Sequence, residues 1–277
     1  MERKVLIAVD GSVNALKAVR YVGRTFAPVE DFKVALLHLL PAPAPVLARE
    51  ARTDPESLKR LKTLEGKNRR QSEKVLGRAE EELTRAGLAP DRIEKLVRPT
   101  KNDVAREIVF EVQNGLYDSL ILGRRGLGRL QEIFLGSVSQ KCLQAAGSVP
   151  VWIVDGEAHG RKIIIALDGS EDSFRAVDHV GFIAARHPEL TILLLHVSSS
   201  LAQYCTLDFD EEVQAIEEET ILMEEDYCMR NYFGQAREML ARAGVDKSRV
   251  EVRLQPKSMD IARSILQAAK AEDCKTI

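Results

Sequence analysis

The 277-residue chain has no excess of either charge: its formal net charge is −2 with 30% charged residues. It therefore offers no broad basic surface, and nucleic acid is not an expected partner. No apolar run approaches the roughly 20 residues that a membrane-spanning helix needs. The N-terminus enters a charged, strand-like segment directly, without the apolar centre of a signal peptide. Neither a membrane nor export is expected, and a cytoplasmic location follows as the expectation. Cys142, Cys205, Cys228 and Cys274 show no CxxC or zinc spacing, which reads as reduced, mostly buried thiols. Four catalytic signatures are also missing. There is no GxxxxGK[ST], hence no P-loop lysine for phosphoryl transfer. The first strand leads into Asp10-Gly11-Ser12-Val13-Asn14 where a dinucleotide fold would carry GxGxxG. No GxSxG elbow and no HExxH helix occurs.

What is present is a short apolar run ending in a glycine loop: Asp118-Ser119-Leu120-Ile121-Leu122-Gly123-Arg124-Arg125-Gly126, then Gly136-Ser137-Val138-Ser139. Glycines let backbone N–H groups approach an oxyanion, and a helix N-terminus adds unpaired donors and a favourable dipole. The loop reads as a phosphate cradle, which suggests a nucleotide. A plain turn is the bland alternative for the glycines. Simple helix capping is the alternative for Asp10, and an ordinary solvated surface for Arg124 and Arg125.

The chain also repeats itself. Lys4-Val5-Leu6-Ile7-Ala8-Val9-Asp10-Gly11-Ser12 returns as Lys162-Ile163-Ile164-Ile165-Ala166-Leu167-Asp168-Gly169-Ser170, and Leu37-His38-Leu39 as Leu195-His196-Val197. Arg85-Ala86-Gly87 matches Arg242-Ala243-Gly244, and Asp103-Val104-Ala105-Arg106 matches Asp260-Ile261-Ala262-Arg263. Matches in this order over a domain's length indicate duplication, with domains expected at 1–154 and 162–277 and a linker at 155–161. Aligning Cys274-Lys275-Thr276-Ile277 with Asp118-Ser119-Leu120-Ile121 leaves no counterpart of 122–154, so the second copy is expected to be C-terminally incomplete, naturally or by trimming.

The continuous apolar run at 4–9 predicts a strand buried on both faces of a parallel sheet, and further strands are expected at 33–40, 92–97, 117–122 and 149–154. Helices are expected at 12–26, from Asp54-Pro55 to about Ala86, at 102–114 and after Gly136, with an extended connection through Pro41-Ala42-Pro43-Ala44-Pro45. The second copy repeats the plan at 162–167, 170–185, 190–197, about 209–243, 249–254 and 259–271. Alternating strands and helices imply an α/β fold of two open parallel sheets with helices on both faces, Rossmann-like or flavodoxin-like. Ligands in such sheets bind beyond the carboxyl ends of the strands, where the strand order reverses. Asp10 and Gly123 would edge that crevice. His38 and His196, in strand ends among leucines, read as hydrogen-bonding core histidines. The acidic run Glu217-Glu218-Glu219 with Glu224-Glu225 reads as a solvated helix face.

The spacing Gly123-x2-Gly126-x9-Gly136-Ser137, placed after the fourth strand and paired with Val9-Asp10 after the first, resembles the universal stress protein family, and in particular its ATP-binding members. The resemblance implies a tandem member with a nucleotide-binding first domain. It implies that Asp10 holds the ribose or adenosine part, with Ala8 and Val9 beside the base and Leu39 lining the adenine slot. Gly123 and Gly126 would pass under ribose and phosphates. Gly136, Ser137, Val138 and Ser139 would supply backbone and hydroxyl donors, and Arg124 with Arg125 would screen a polyphosphate. The implied ligand is ATP or another adenine nucleotide, with or without Mg. The implied role is a stress-response or regulatory module read by protein partners. A dimeric interaction scaffold of the same fold with an empty loop is the alternative. No general base is evident, so no catalytic residue is named and slow ATP hydrolysis is the most the site would allow. The resemblance further implies that the edge strand Val149–Val154 pairs with its counterpart, across a dimer or between the two lobes of a tandem chain; with no counterpart in the second copy a homodimer is the expectation, and a monomer whose second lobe covers this edge is the alternative.

Overall fold

The computed structural model describes residues 3–29, 31–101, 103–124, 135–156, 160–199, 211–258 and 260–277, with side chains described except at 199, 211–226 and 256–257. The chain divides into two compact units, Met1–Ala158 and His159–Ile277.

In the first unit, five parallel strands lie in the order β3-β2-β1-β4-β5. They are β1 (Arg3–Ala8), β2 (Phe32–Leu40), β3 (Ile93–Pro99), β4 (Ser119–Gly123) and β5 (Val151–Val154). β1 is central, pairing with β2 through Ala8↔Leu37 and with β4 through Ile7↔Ile121. Both faces of these central strands are covered, so Leu6, Ile7, Leu36, Leu37, Leu120 and Ile121 are buried and the runs are continuously apolar instead of alternating. From β1 the chain winds to one side through β2 and β3, then crosses over to β4 and β5, so the order reverses between β1 and β4.

The described residues of this unit form the helices α1 (Val13–Phe26), α2 (Pro45–Glu50), α3 (Pro55–Arg85), α4 (Val104–Asn114) and α5 (Ser137–Ala145). The caps of α1 and α3 follow from side-chain chemistry. Ser12 Oγ accepts the Ala15 N–H at 3.1 Å, and Asp54 accepts the Ser57 N–H at 2.7 Å ahead of Pro55 at the first helical position. α4 and α5 pack on a cluster containing Leu6, Leu37, Leu120, Leu122 and Cys142, and burial drives the Cys142 thiol up to about 12. α1 pairs with α3, tied by Arg20 to Glu82 at 2.9 and 3.1 Å. Trp152 of β5 packs against Tyr21 and Phe26 of α1, at ring centroid distances of 6.0 and 5.9 Å. The proline-rich connection departs from expectation: it ends in α2, because Pro45 sits where a helix loses no hydrogen bond to proline.

The second unit has β6 (Lys162–Ala166), β7 (Thr191–Ser199) and β8 (Val250–Ser258) in that order, with α6 (Glu171–Ala184), α7 (Glu211–Ala243) and α8 (Ile261–Ala271). Thr276 makes a parallel bridge to Ile163, the counterpart of Val5↔Ser119. This corrects the alignment near the C-terminus by one residue: Thr276 stands for Ser119, at an offset of 157. The backbone agrees, because the two non-glycine residues with positive φ among the described residues, Leu116 (53°) and Asp273 (48°), are 157 apart. Among the described residues no helix is long and apolar enough to cross a membrane.

Candidate functional site

The carboxyl ends of β1 and β4 lie side by side where the strand order reverses, which is the place an open parallel sheet offers a ligand. Half-buried Ala8 closes β1 and buried Val9 follows it. Asp10 follows, and its carboxylate accepts the Ser12 N–H at 2.9 Å. Gly11 between them takes φ +84°, a left-handed turn that a side chain would strain. This turn delivers the chain from the strand end to the α1 N-cap. His38, one residue before Leu39, donates from Nδ1 to the Val9 carbonyl at 2.7 Å, since a carbonyl only accepts. It thereby locks β1 to β2, and Leu39 lies half-buried on the α4–α5 side of the sheet.

The second unit reproduces this geometry. Asp168 accepts the Ser170 N–H at 2.9 Å, Gly169 has φ +82°, and His196 Nδ1 lies 2.7 Å from the Leu167 carbonyl. The Ser170 hydroxyl and amide hold the Asp168 carboxyl below its ordinary range. There a Cβ on Gly169 would meet the Tyr232 ring at 2.4 Å, where in the first unit one on Gly11 would meet Val75 at 2.9 Å. The shared Asp-Gly-Ser turn is thus a structural element of both units, whatever else Asp10 does.

β4 ends in Gly123, whose missing side chain faces α1. A Cβ there would lie 2.6 Å from the Asn14 carbonyl oxygen and 2.9 Å from the Ala15 nitrogen. Arg124 follows; its guanidinium pairs with Asp155 and its N–H donates to Val154 at 2.9 Å. Arg125 and Gly126 lie outside the described residues. The chain re-enters at α5, which is stapled to the end of β4 by two bonds. The Gly136 N–H donates to the Arg124 carbonyl at 2.8 Å, and Ser139 Oγ donates to the Gly123 carbonyl at 3.0 Å.

These bonds narrow the set of donors for an anion. The Gly136 amide and the Ser139 hydroxyl hydrogen already have acceptors. What remains at the α5 N-terminus is the exposed Ser137 hydroxyl and the first-turn amides of Ser137, Val138 and Ser139, which a helix cannot satisfy itself. Val138 is half-buried on the core and Ser139 is buried. Lys141, one turn further along, pairs with Asp103 at 2.7 Å, which pulls the Asp103 carboxyl below its ordinary range. Sequence reasoning missed this pair; Asp103 caps α4 and Lys141 lies in the second turn of α5, and only the fold brings them together. No cluster of three or more metal-ligating side chains occurs among the described residues.

Comparison with known proteins agrees with the fold. A universal stress protein of Mycolicibacterium smegmatis is 29% identical over 204 residues, covering 71% of this chain and 64% of its own length, so the match spans less than two thirds of that relative. The crystal structure of a universal stress protein from Archaeoglobus fulgidus aligns over 98% of this chain and 84% of its own, with 19% identity and a TM-score of 0.61. A universal stress protein family structure from Arabidopsis thaliana with AMP bound covers 55% of this chain and 90% of its own at 21% identity. Its TM-score of 0.38 is too low to say anything of this chain's ligand. The sequence model of the universal stress protein family matches twice, at residues 1–155 and 160–277. With both halves matched along almost their whole length, the chain belongs to the universal stress protein family.

Proposed function

We propose that the first unit binds one adenine nucleotide, ATP or a relative of it, beyond the carboxyl ends of β1 and β4, and that the protein works as a cytoplasmic stress-response or regulatory module. The observation that carries this reading is the α5 N-terminus, held at the end of β4 by the Gly136–Arg124 and Ser139–Gly123 bonds with its first-turn amides free to take an anion. In this reading phosphates lie on the Ser137, Val138 and Ser139 amides and the Ser137 hydroxyl. Gly123, Arg124, Gly126 and Gly136 shape the approach, Asp10 takes the ribose, and Ala8, Val9 and Leu39 flank the base. Mg would accompany a polyphosphate. In this reading the module binds a nucleotide and reports its state. We further propose that β5, at the open edge of its sheet, pairs with the same edge of a second copy.

A scaffold reading has one observation in its favour. Asp10 is engaged with Ser12 in the same way as Asp168 with Ser170, so the aspartate needs no ligand to explain it. Calorimetric titration with ATP, ADP and AMP, with and without Mg, separates the two. The binding reading expects one site per chain, weakened in Ser137→Ala by the loss of a bond to charge, about 1.5–3 kcal/mol. No heat with any of the three nucleotides would leave the scaffold reading.

A further inference from the structure

The link from α1 to β2 in the first unit and the link from α6 to β7 in the second begin with the same turn. Val29 donates its N–H to the Phe26 carbonyl at 3.0 Å, and His187, at the equivalent position, donates to the Ala184 carbonyl at 3.1 Å. An arginine just ahead of the third strand of each sheet clamps the turn. Arg92 engages all three of its guanidinium nitrogens: Nε on the Phe32 carbonyl at 2.8 Å, Nη1 on Ala27 at 3.4 Å and Nη2 on Val29 at 2.5 Å. Arg249 reaches the His187 and Ala184 carbonyls at 3.0 and 2.8 Å, but its Nε is buried with no hydrogen-bond partner among the described residues.

The looser clamp coincides with a change of side chain. Val29 and His187 are both buried, so a titratable ring fills the place of an aliphatic group, and its Nδ1 is buried without a hydrogen-bond partner among the described residues. A neutral imidazole can leave Nδ1 unprotonated, whereas the imidazolium carries a proton on both nitrogens and would present a buried donor with no acceptor. Among the described residues, the charged groups acting on the ring are Glu189 of its own link, Arg161 ahead of β6 and Arg249 ahead of β8. Glu189 is engaged by Arg161 at 3.0 Å, and both arginines oppose a further cation. Burial outweighs the attraction of Glu189 and holds the ring's pKa below the ordinary 6.5.

We propose that His187 and Arg249 form a latch on the α6–β7 link that acid releases. In the closed link the ring is neutral and the His187 carbonyl accepts from Arg249. A ring that takes a proton from solvent leaves its buried seat, and the His187 carbonyl moves with it. Arg249 then loses one of its two acceptors, and the end of α6 is no longer tied to the start of β8. The first unit carries Val29 at this position, with its arginine fully engaged, and does not respond.

Amide hydrogen exchange of the full chain tests the latch, read as protection factors so that the intrinsic pH dependence of exchange is removed. The reporter is the Leu190 amide, which donates to the His187 carbonyl at 3.1 Å. A ring of ordinary pKa in the open link that stays neutral in the closed one lowers this protection about tenfold between about pH 7.5 and about pH 5.5. Leu190 is expected to exchange faster than the amides of β7 at both pH values, which marks a local opening, while the Val29 amide keeps its protection. In His187→Val the loss at Leu190 should vanish. The wild type carries both turns, so its own comparison of Leu190, β7 and Val29 stands even where the variant does not fold. Equal protection of Leu190 at the two pH values overturns the proposal, as does exchange no faster than that of β7. An equal loss at Val29, or a loss that persists in His187→Val, does the same.

Discussion

Replacing Gly123 by alanine is the sharpest test of how the candidate site is built. The added Cβ would sit 2.6 Å from the Asn14 carbonyl oxygen, 2.7 Å from the Asn14 carbonyl carbon and 2.9 Å from the Ala15 nitrogen, all backbone atoms. No side-chain rotation relieves such a contact. β4 cannot retreat, because it is buried along its length and paired to β1 and β5. The far end of α1 is held by Tyr21 and Phe26 against Trp152. The first turn of α1 must therefore lift, and with it the Asp10–Ser12 turn. Overpacking of this kind costs about 1–3 kcal/mol, which in a domain of this size lowers the melting temperature by about 2–4 °C per kcal/mol. The same molecule supplies a control of opposite sign. Gly77, inside α3, has nothing within 4 Å of an added Cβ, so Gly77→Ala should stabilise by about 0.8–1 kcal/mol through helix propensity. The chain's single tryptophan, Trp152, reports on the first unit, and thermal unfolding followed by its fluorescence reads both variants. Gly123→Ala melting at or above the wild type would refute the claim that this glycine exists to admit α1.

Three further outcomes are expected. Ser139→Ala leaves the Gly123 carbonyl without its buried donor and should cost about 1–3 kcal/mol by the same fluorescence melt, whereas the exposed Ser137→Ala should leave stability unchanged; equal effects would contradict the staple. His187 is 7% exposed and its Nδ1 has no hydrogen-bond partner among the described residues; burial lowers its pKa from the ordinary 6.5. The unfolded chain then takes up the proton first, so the second unit should lose stability as pH falls below about 6.5, full stability lying above it. His187→Val, which installs the residue of the equivalent position Val29, should flatten that slope in a far-UV circular dichroism melt, and an unchanged slope would count against the buried imidazole. Glu272 accepts from Lys162 at 2.6 Å and from Arg253, and these two cations hold it at about 2, below the ordinary 4.5. Its contribution is complete above pH 4.5 and is lost as pH falls toward 2; Glu272→Gln should destabilise at neutral pH and lose this acid sensitivity, and acid melts identical to wild type would refute the pairing.

Local chemistry was legible in the sequence where it stays local. Asp10-Gly11-Ser12 announces a turn and a cap within three residues, and Asp54-Pro55 announces the start of α3; both form as read. The sheet was legible because strands covered on both faces must be apolar throughout. The donors at the α5 N-terminus were over-assigned, because the Gly136 amide and the Ser139 hydroxyl find acceptors on the end of β4. That contact is made across the sheet and leaves no periodic trace. Gly123 looked like a place for a ligand to approach and its open side faces a helix backbone. α2 was hidden by the proline run that precedes it, since the same residue that breaks helices also begins them.

The staple between β4 and α5 has a consequence for how such a protein diversifies. Because the Gly123 and Arg124 carbonyls are bonded directly to Ser139 and Gly136, the two ends of the intervening segment are fixed in the framework itself. The register of α5 on β4 thus rests on one backbone amide and one serine hydroxyl, and a substitution that spares these two bonds leaves the strand and the helix in place.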